Sequence, residues 1–265
     1  MLKKIILTLT ALLSLSSTRH VPTAFKPDWR FIARLQPDLD SNGFGFMEPG
    51  LSNMCDELTL WATRYHIVQA AYAADGICLR DKDGHDTGAR LSLCDWCDAA
   101  LCGTVATTDS LGAPLILSFA GKSDTIQADC EKCEKFENYR NKGIRYSLWA
   151  PVKGRYGNGA MGMKLVPYRS IAVDRTQIPI GSILFIPDAV GTEITLPDGS
   201  ISKHDGYFIA ADTGGSIRSN QIDVFTGFCT RNPFAFVQSD RTKTFRAYII
   251  TDPVIEEAIL AKHGV

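Results

Sequence analysis

Hydrophobic positions along this chain come in short bursts, and the first stands apart from the rest. Residues 5–15 (IILTLTALLSL) form a mainly apolar run behind the basic head Met1-Leu2-Lys3-Lys4, with the small residues Ser14, Ser16, Ser17 and Thr18 at its end. That three-part pattern predicts a secretory signal peptide over residues 1–17, too short to cross a bilayer. Residues 18–57 are rich in Pro, Gly, Asp and Asn and show no period, which predicts an irregular N-terminal arm. Residues 58–67 (LTLWATRYHI) are dense in β-branched and aromatic residues and predict a strand. Ser92 is placed to cap a short helix over residues 93–101 that stops at Gly103. Residues 103–107 and 114–119 read as a hairpin, and the polar stretch 127–141 is compatible with a helix. From Arg145 onward the bursts are shorter still: 170–174, 183–186, 192–196, 207–211, 221–225 and 245–250, divided by Gly, Pro and Asp-Gly turns. Asp198-Gly199 and Asp205-Gly206 both read as hairpin turns without chemistry.

Several short strands without long helices predict a mainly β fold closed into a small barrel. The barrel is assigned to residues 58–68 and 145–252. A cysteine-rich insertion occupies 69–144, and 253–265 is a C-terminal tail. Composition adds exclusions. The 28 basic and 29 acidic residues balance to a net charge of −1, so nothing draws a phosphate backbone and nucleic acid is not an expected partner. No segment after the leader is apolar enough to cross a membrane, and no cysteine follows the leader closely. The expectation is a soluble, unanchored protein, exported to the periplasm or secreted.

Export changes the reading of the eight cysteines (55, 78, 94, 97, 102, 130, 133 and 229). An even count in an oxidising compartment predicts disulfides, at least two of them within residues 78–133. Cys94-x-x-Cys97 and Cys130-x-x-Cys133 also have the spacing of a four-thiolate zinc site, the alternative for these four. No cofactor or essential metal is expected. His66 and His204 read as surface or satisfied structural histidines.

Three aspartates in the second half lie near predicted strand ends: Asp174, Asp212 in Ala-Ala-Asp-Thr-Gly-Gly-Ser-Ile, and Asp223 in Gln-Ile-Asp-Val-Phe-Thr-Gly. Gly214 and Gly215 allow a tight turn and close ligand approach. A single aspartate after a strand is ordinarily a turn residue; three in apolar, glycine-flanked surroundings mark a candidate site. Thr63 and Tyr65 alternate onto one face of the first strand. Trp149 and Tyr156 are candidate groove aromatics, and Lys164 and Arg169 are candidate carboxylate contacts.

The residues Gly162-Met163-Lys164-Leu165, the run 169–174, Ile178-Pro179-x-Gly181, Asp212-Thr213-Gly214-Gly215-Ser216-Ile217 and Ile222-Asp223-Val224-Phe225-x-Gly227 closely resemble the three-aspartate (3D) domain of the membrane-bound lytic transglycosylase A family. The resemblance is strong over residues 161–227 and weaker at Ala62-Thr63-Arg64-Tyr65. It implies a six-stranded double-psi β-barrel. It also implies cleavage of the MurNAc-GlcNAc β-1,4 bond in peptidoglycan glycan strands, leaving 1,6-anhydromuramyl ends. Asp223 is then the acid/base, with Asp212 and Asp174 as charged neighbours or hydrogen-bond organisers. Thr63, Tyr65, Thr213, Gly214 and Gly215 are candidate substrate contacts. The family's large second domain is not recognisable, so the insertion would supply the groove's other wall. Two other readings are a non-catalytic polysaccharide-binding barrel and a muramidase on the same fold.

Overall fold

A computed structural model describes residues 43–138, 142–152 and 154–265. The leader and most of the N-terminal arm lie outside the described residues. In chain order the strands and helices are β1 (Met54–Tyr65), β2 (Val68–Gln69), β3 (Ile77–Arg80), β4 (Asp86–Leu91), α1 (Leu93–Cys102), β5 (Thr104–Thr108), β6 (Pro114–Lys122), β7 (Ser147–Pro151), β8 (Ser170–Val173), β9 (Ile183–Phe185), β10 (Glu193–Thr195), β11 (Ile201–Lys203), β12 (Tyr207–Thr213), β13 (Gln221–Phe225), β14 (Phe245–Ile250) and α2 (Pro253–Lys262).

Six of these strands close a barrel in the order β1-β13-β8-β12-β9-β14. The β1–β13 and β8–β12 pairs are parallel and the other four are antiparallel. This is the expected mainly β, double-psi barrel. Alternation along each strand sends Leu60, Ala62, Ile171, Val173, Leu184, Phe208, Ala210, Ile222, Val224 and Ala247 into one core, completed by Phe234 and Phe236. Each buried phenylalanine side chain contributes about 1.5–3 kcal/mol.

Several boundaries differ from the sequence reading. The first strand begins at Met54, inside the segment read as arm, because residues 54–60 pair with β14. Residues 145–169 are not barrel. Their strand β7 pairs with β6 in a second sheet of order β2-β5-β6-β7, and the barrel resumes only at Ser170. The burst at 193–195 pairs with 201–203 in a ribbon outside the barrel, across the Asp198-Gly199 turn. The stretch 127–141, read as helix-compatible, holds short 3-10 turns at Cys130–Lys132 and Glu134–Phe136 in its described part. The C-terminal segment is a helix rather than a loose tail. Asp252 caps α2, Ile255 and Ile259 are buried, and the buried His263 donates from Nδ1 to the Ile259 carbonyl and lies 3.1 Å from Ser170 Oγ.

The second unit has its own core around Trp96 and Trp149, with Leu79, Leu91, Val105 and Leu117. Ser92 caps α1 by accepting from the Asp95 N–H, and Gly103 ends it with a left-handed φ of 81°. Cys94 and Cys97, on one face of α1, form disulfides with Cys133 and Cys130, with Cα–Cα distances of 5.5 and 5.8 Å. The four thiols in dispute are therefore paired as disulfides. Cys55, Cys78, Cys102 and Cys229 are free. No described helix is long and apolar enough to cross a membrane.

Candidate active site

The site is built from one row across four barrel strands. Thr63 on β1 pairs with Asp223 on β13, Asp223 pairs with Ala172 on β8, and Ala172 pairs with Asp212 on β12. Directly paired residues point to the same side of a sheet. Their neighbours Ala62, Ile222, Ile171 and Ala210 fill the barrel core, so the row faces outward. The regular alternation of β12 would turn Asp212 inward behind Ala210. A bulge between Ala210 and Asp212 inserts Ala211 and brings Asp212 opposite Ala172. The two carboxylates thus flank a residue whose side chain is one methyl group. Their Cα atoms sit two strand spacings apart, roughly 9–10 Å.

The second unit lies against this outer face. Ala106 of β5 packs in one cluster with Ile67, Tyr156, Ala211 and Phe225. At the end of α1, burial pushes the Cys102 thiol up to about 11, with Asp98 and Asp223 adding to the shift. Asp223 therefore lies on the outer face of the barrel, near enough to the end of α1 for its charge to act on Cys102.

The two aspartates differ in their partners. Asp212 accepts from the Thr213 N–H at 2.8 Å and from the Tyr65 hydroxyl at 2.9 Å. Burial raises its carboxyl to about 6, and these two donors hold it back from rising further. Asp223 Oδ1 is buried without a hydrogen-bond partner among the described residues. Burial raises the Asp223 carboxyl to about 7; the Thr63 hydroxyl and Arg64 oppose the rise, and the Asp212 charge adds to it. Tyr65 itself is pushed well above the ordinary phenol range, first by burial and then by Asp212, so it stays a donor.

Asp174 is used differently. One oxygen accepts from the Thr176 N–H and hydroxyl, at 3.0 and 2.7 Å, and the other from the Ser219 N–H at 2.9 Å. These donors, the Thr176 hydroxyl first, hold its carboxyl below the usual range. It ties the end of β8 to the loop entering β13, and so supports the row without joining it. On that loop, Gly214 meets the Ile217 side chain, where a Cβ would come within 2.5 Å; Gly215 is open. Thr213 is exposed beside Asp212.

Three other candidates, Trp149, Tyr156 and Arg169, are buried. Trp149 is fully buried in the second core, and Tyr156 packs against Phe225 and Phe228. Arg169 is buried rather than available to ligand. Its guanidinium pairs with Asp205 at 2.7 and 3.1 Å and donates to the Tyr207 and Gly43 carbonyls. Asp205, read as a turn residue, also accepts from the Gly45 and Phe46 N–H groups. Burial opposes its charge, but Arg169 outweighs burial and keeps the carboxyl below the usual range. His204 is a satisfied structural histidine. Nε2 donates to the Tyr168 carbonyl, Nδ1 accepts from the Gly206 N–H, and burial lowers it to about 3. Asp81, Asp83 and His85 bring three potential metal-ligand atoms within 4.8 Å of one another. The turn's own bonds explain this cluster, since Asp81 accepts from the Asp83 and His85 N–H groups.

Sequence reasoning missed Ala172, whose small size matters only once the row is known, and Cys102 at the end of α1, whose thiol feels the Asp223 charge.

Residues 169–232 match the family described as the 3D domain, a stretch that contains all three aspartates. No curated protein sequence matches the chain. Among solved structures, the chain is similar to Escherichia coli MltA with bound chitohexaose: 17% identity, 73% of this chain and 72% of that one covered, TM-score 0.45. It is also similar to a membrane-bound lytic murein transglycosylase from Agrobacterium tumefaciens: 15% identity, 76% and 75% covered, TM-score 0.45. A third similar structure is MltA from Neisseria gonorrhoeae: 15% identity, 64% and 48% covered, TM-score 0.41.

Proposed function

We propose that this protein cleaves peptidoglycan glycan strands as a lytic transglycosylase, with Asp223 as its single acid/base. The observation that carries the reading is the state of Asp223: buried at one oxygen, unpaired there, and raised to about 7 beside a second carboxylate. Such a group holds a proton near neutral pH and can give it up to a substrate atom. The 3D-domain match supports the substrate class.

In the first step the protonated Asp223 gives its proton to the glycosidic oxygen as the bond from the muramyl C1 to that oxygen breaks. Positive charge develops at C1, and the Asp212 carboxylate across Ala172 stabilises it. In the second step the Asp223 carboxylate takes the proton of the muramyl C6 hydroxyl while that oxygen bonds to C1. The enzyme returns to its starting state and water is not consumed. The nucleophile is part of the substrate, so its effective concentration is high.

One geometric feature supports a second reading. An inverting glycosidase needs an acid and a base carboxylate about 6.5–9.5 Å apart, with water between them. Asp223 and Asp212 on either side of a single methyl group are compatible with such a gap. The products separate the two. Purified protein is incubated with peptidoglycan, and the released muropeptides are treated with borohydride and weighed. Anhydro ends are lighter by one water and resist reduction; hydrolytic ends gain two hydrogens. Anhydro ends are expected, and reducible ends would establish a muramidase. Asp223→Asn should abolish release in either case, and full release by this variant would remove Asp223 from the mechanism.

A further inference from the structure

We infer that Tyr65 is a positioning residue that acts through Asp212, keeping that carboxylate ionised and aimed along the row while Asp223 carries the proton. This rests on the reading of Asp223 as acid/base. The geometry has three parts. The bulge at Ala211 brings Asp212 onto the outer face, where its orientation depends on what binds it. Its two oxygens are then divided between two donors: Oδ1 takes the Thr213 N–H and Oδ2 the Tyr65 hydroxyl. The Tyr65 ring lies against Phe225 with centroids 5.0 Å apart, so the hydroxyl is held from a packed ring.

A tyrosine on a glycan-binding face is ordinarily read as a platform for sugar stacking. Here the hydroxyl is already committed to the Asp212 carboxylate, at 2.9 Å. Hydrogen bonds to a carboxylate favour its charged form. Asp212 has two such donors, whereas Asp223 Oδ1 has no partner. The charged and titratable groups around the pair come from four elements: Tyr65 and Arg64 from β1, Asp212 from β12, Asp223 from β13 and Cys102 from α1. Cys102, raised to about 11, is neutral through the working range. Of these groups, Tyr65 and the Thr213 backbone are the donors bonded to Asp212 itself.

The test is the pH profile of muropeptide release for wild type, Tyr65→Phe, Asp212→Asn and the double variant. Phenylalanine keeps the ring against Phe225 and removes only the donor. Losing it raises the Asp212 pKa, so the acid limb should move up by about one pH unit and the optimum narrow from its acid side. A loss in kcat of about tenfold, with KM little changed, should accompany it. In the Asp212→Asn background, Tyr65→Phe should have no further effect on the acid limb. A Tyr65→Phe profile identical to wild type, or a rise in KM alone, would overturn the inference while leaving Asp223 in place. Full activity of Asp223→Asn would overturn both. Titration of 13C-labelled aspartate reads the wild-type protein directly and needs a variant only to assign a signal. It should assign the lower of the two apparent values to the signal lost in Asp212→Asn, and the opposite assignment would also overturn the inference.

Discussion

Asp212 and Asp223 are the same side chain, two strands apart on one face, and only their hydrogen bonds set them apart. Asp212 has two donors, while Asp223 has a buried oxygen without one. This asymmetry has a cost in stability that can be measured. The folded state raises Asp223 from the ordinary carboxyl value to about 7, so it holds a proton that the unfolded chain releases near 3.8. The contribution is therefore fully present below about pH 4 and is lost as pH rises through 7. Asp223→Asn removes the titration. Its Tm should exceed that of wild type at pH 8 and approach it at pH 4. The gap at pH 8 corresponds to a difference on the order of 1–3 kcal/mol, discounted for the solvent that reaches the site. Parallel pH dependences for the two proteins would show that Asp223 ionises freely in the fold.

At the level of elements, the decisive irregularity is the bulge in β12. Composition and alternation made most of the strands legible, because a closed barrel needs short, alternating, turn-bounded segments. The same logic found α1, whose Ser92 and Gly103 caps are chemical signals within a few residues of the helix. A two-for-one pairing leaves no such signal: Ala210-Ala211-Asp212 reads as plain strand, and only the register against β8 shows the extra residue. Ends set by partners far along the chain were equally hidden. Met54 is strand because β14 lies beside it, and residues 147–151 leave the barrel because β6 pairs with them. Asp205 looked like a turn because its partner, Arg169, is 36 residues away. Of the site, the three aspartates were visible. Their different surroundings, two donors on Asp212, an unpaired oxygen on Asp223 and a loop tie at Asp174, were not, since those partners lie far along the chain. Deleting Ala211 tests the bulge. Asp212 would then follow Ala210 directly and regular alternation would keep it outward opposite Ala172, so lysis should survive within about tenfold. Loss of lysis by more than about a hundredfold in a folded deletion variant would mean that the bulge itself is needed, beyond the face it gives Asp212.

On the scale of the whole molecule, two cores meet at the site. The barrel core is sealed by its own aromatic cluster, and the second unit by Trp96, Trp149 and their neighbours. Both disulfides lie within the second unit, fastening α1 to residues 130–133, and neither crosses to the barrel. Each restricts the unfolded chain and contributes about 2–4 kcal/mol to the unit that holds it. The helix near Asp223 is thus covalently braced, while the row of Thr63, Asp223, Ala172 and Asp212 stands on a barrel that carries neither bridge. Reduction should separate the two. With both bridges reduced, muropeptide release should fall severalfold or more as α1 loses its fixed place near Asp223. Barrel amides in β8, β12 and β13 should keep their hydrogen-exchange protection, while those of α1 and β5 lose it. Replacing Cys97 and Cys130 by serine should give an intermediate result, because Cys94–Cys133 still ties the same helix. If reduction leaves both release and α1 protection unchanged, the second core holds α1 without its bridges. If protection collapses in β8, β12 and β13 together with α1, the two units fold as one, and the barrel depends on the braced unit.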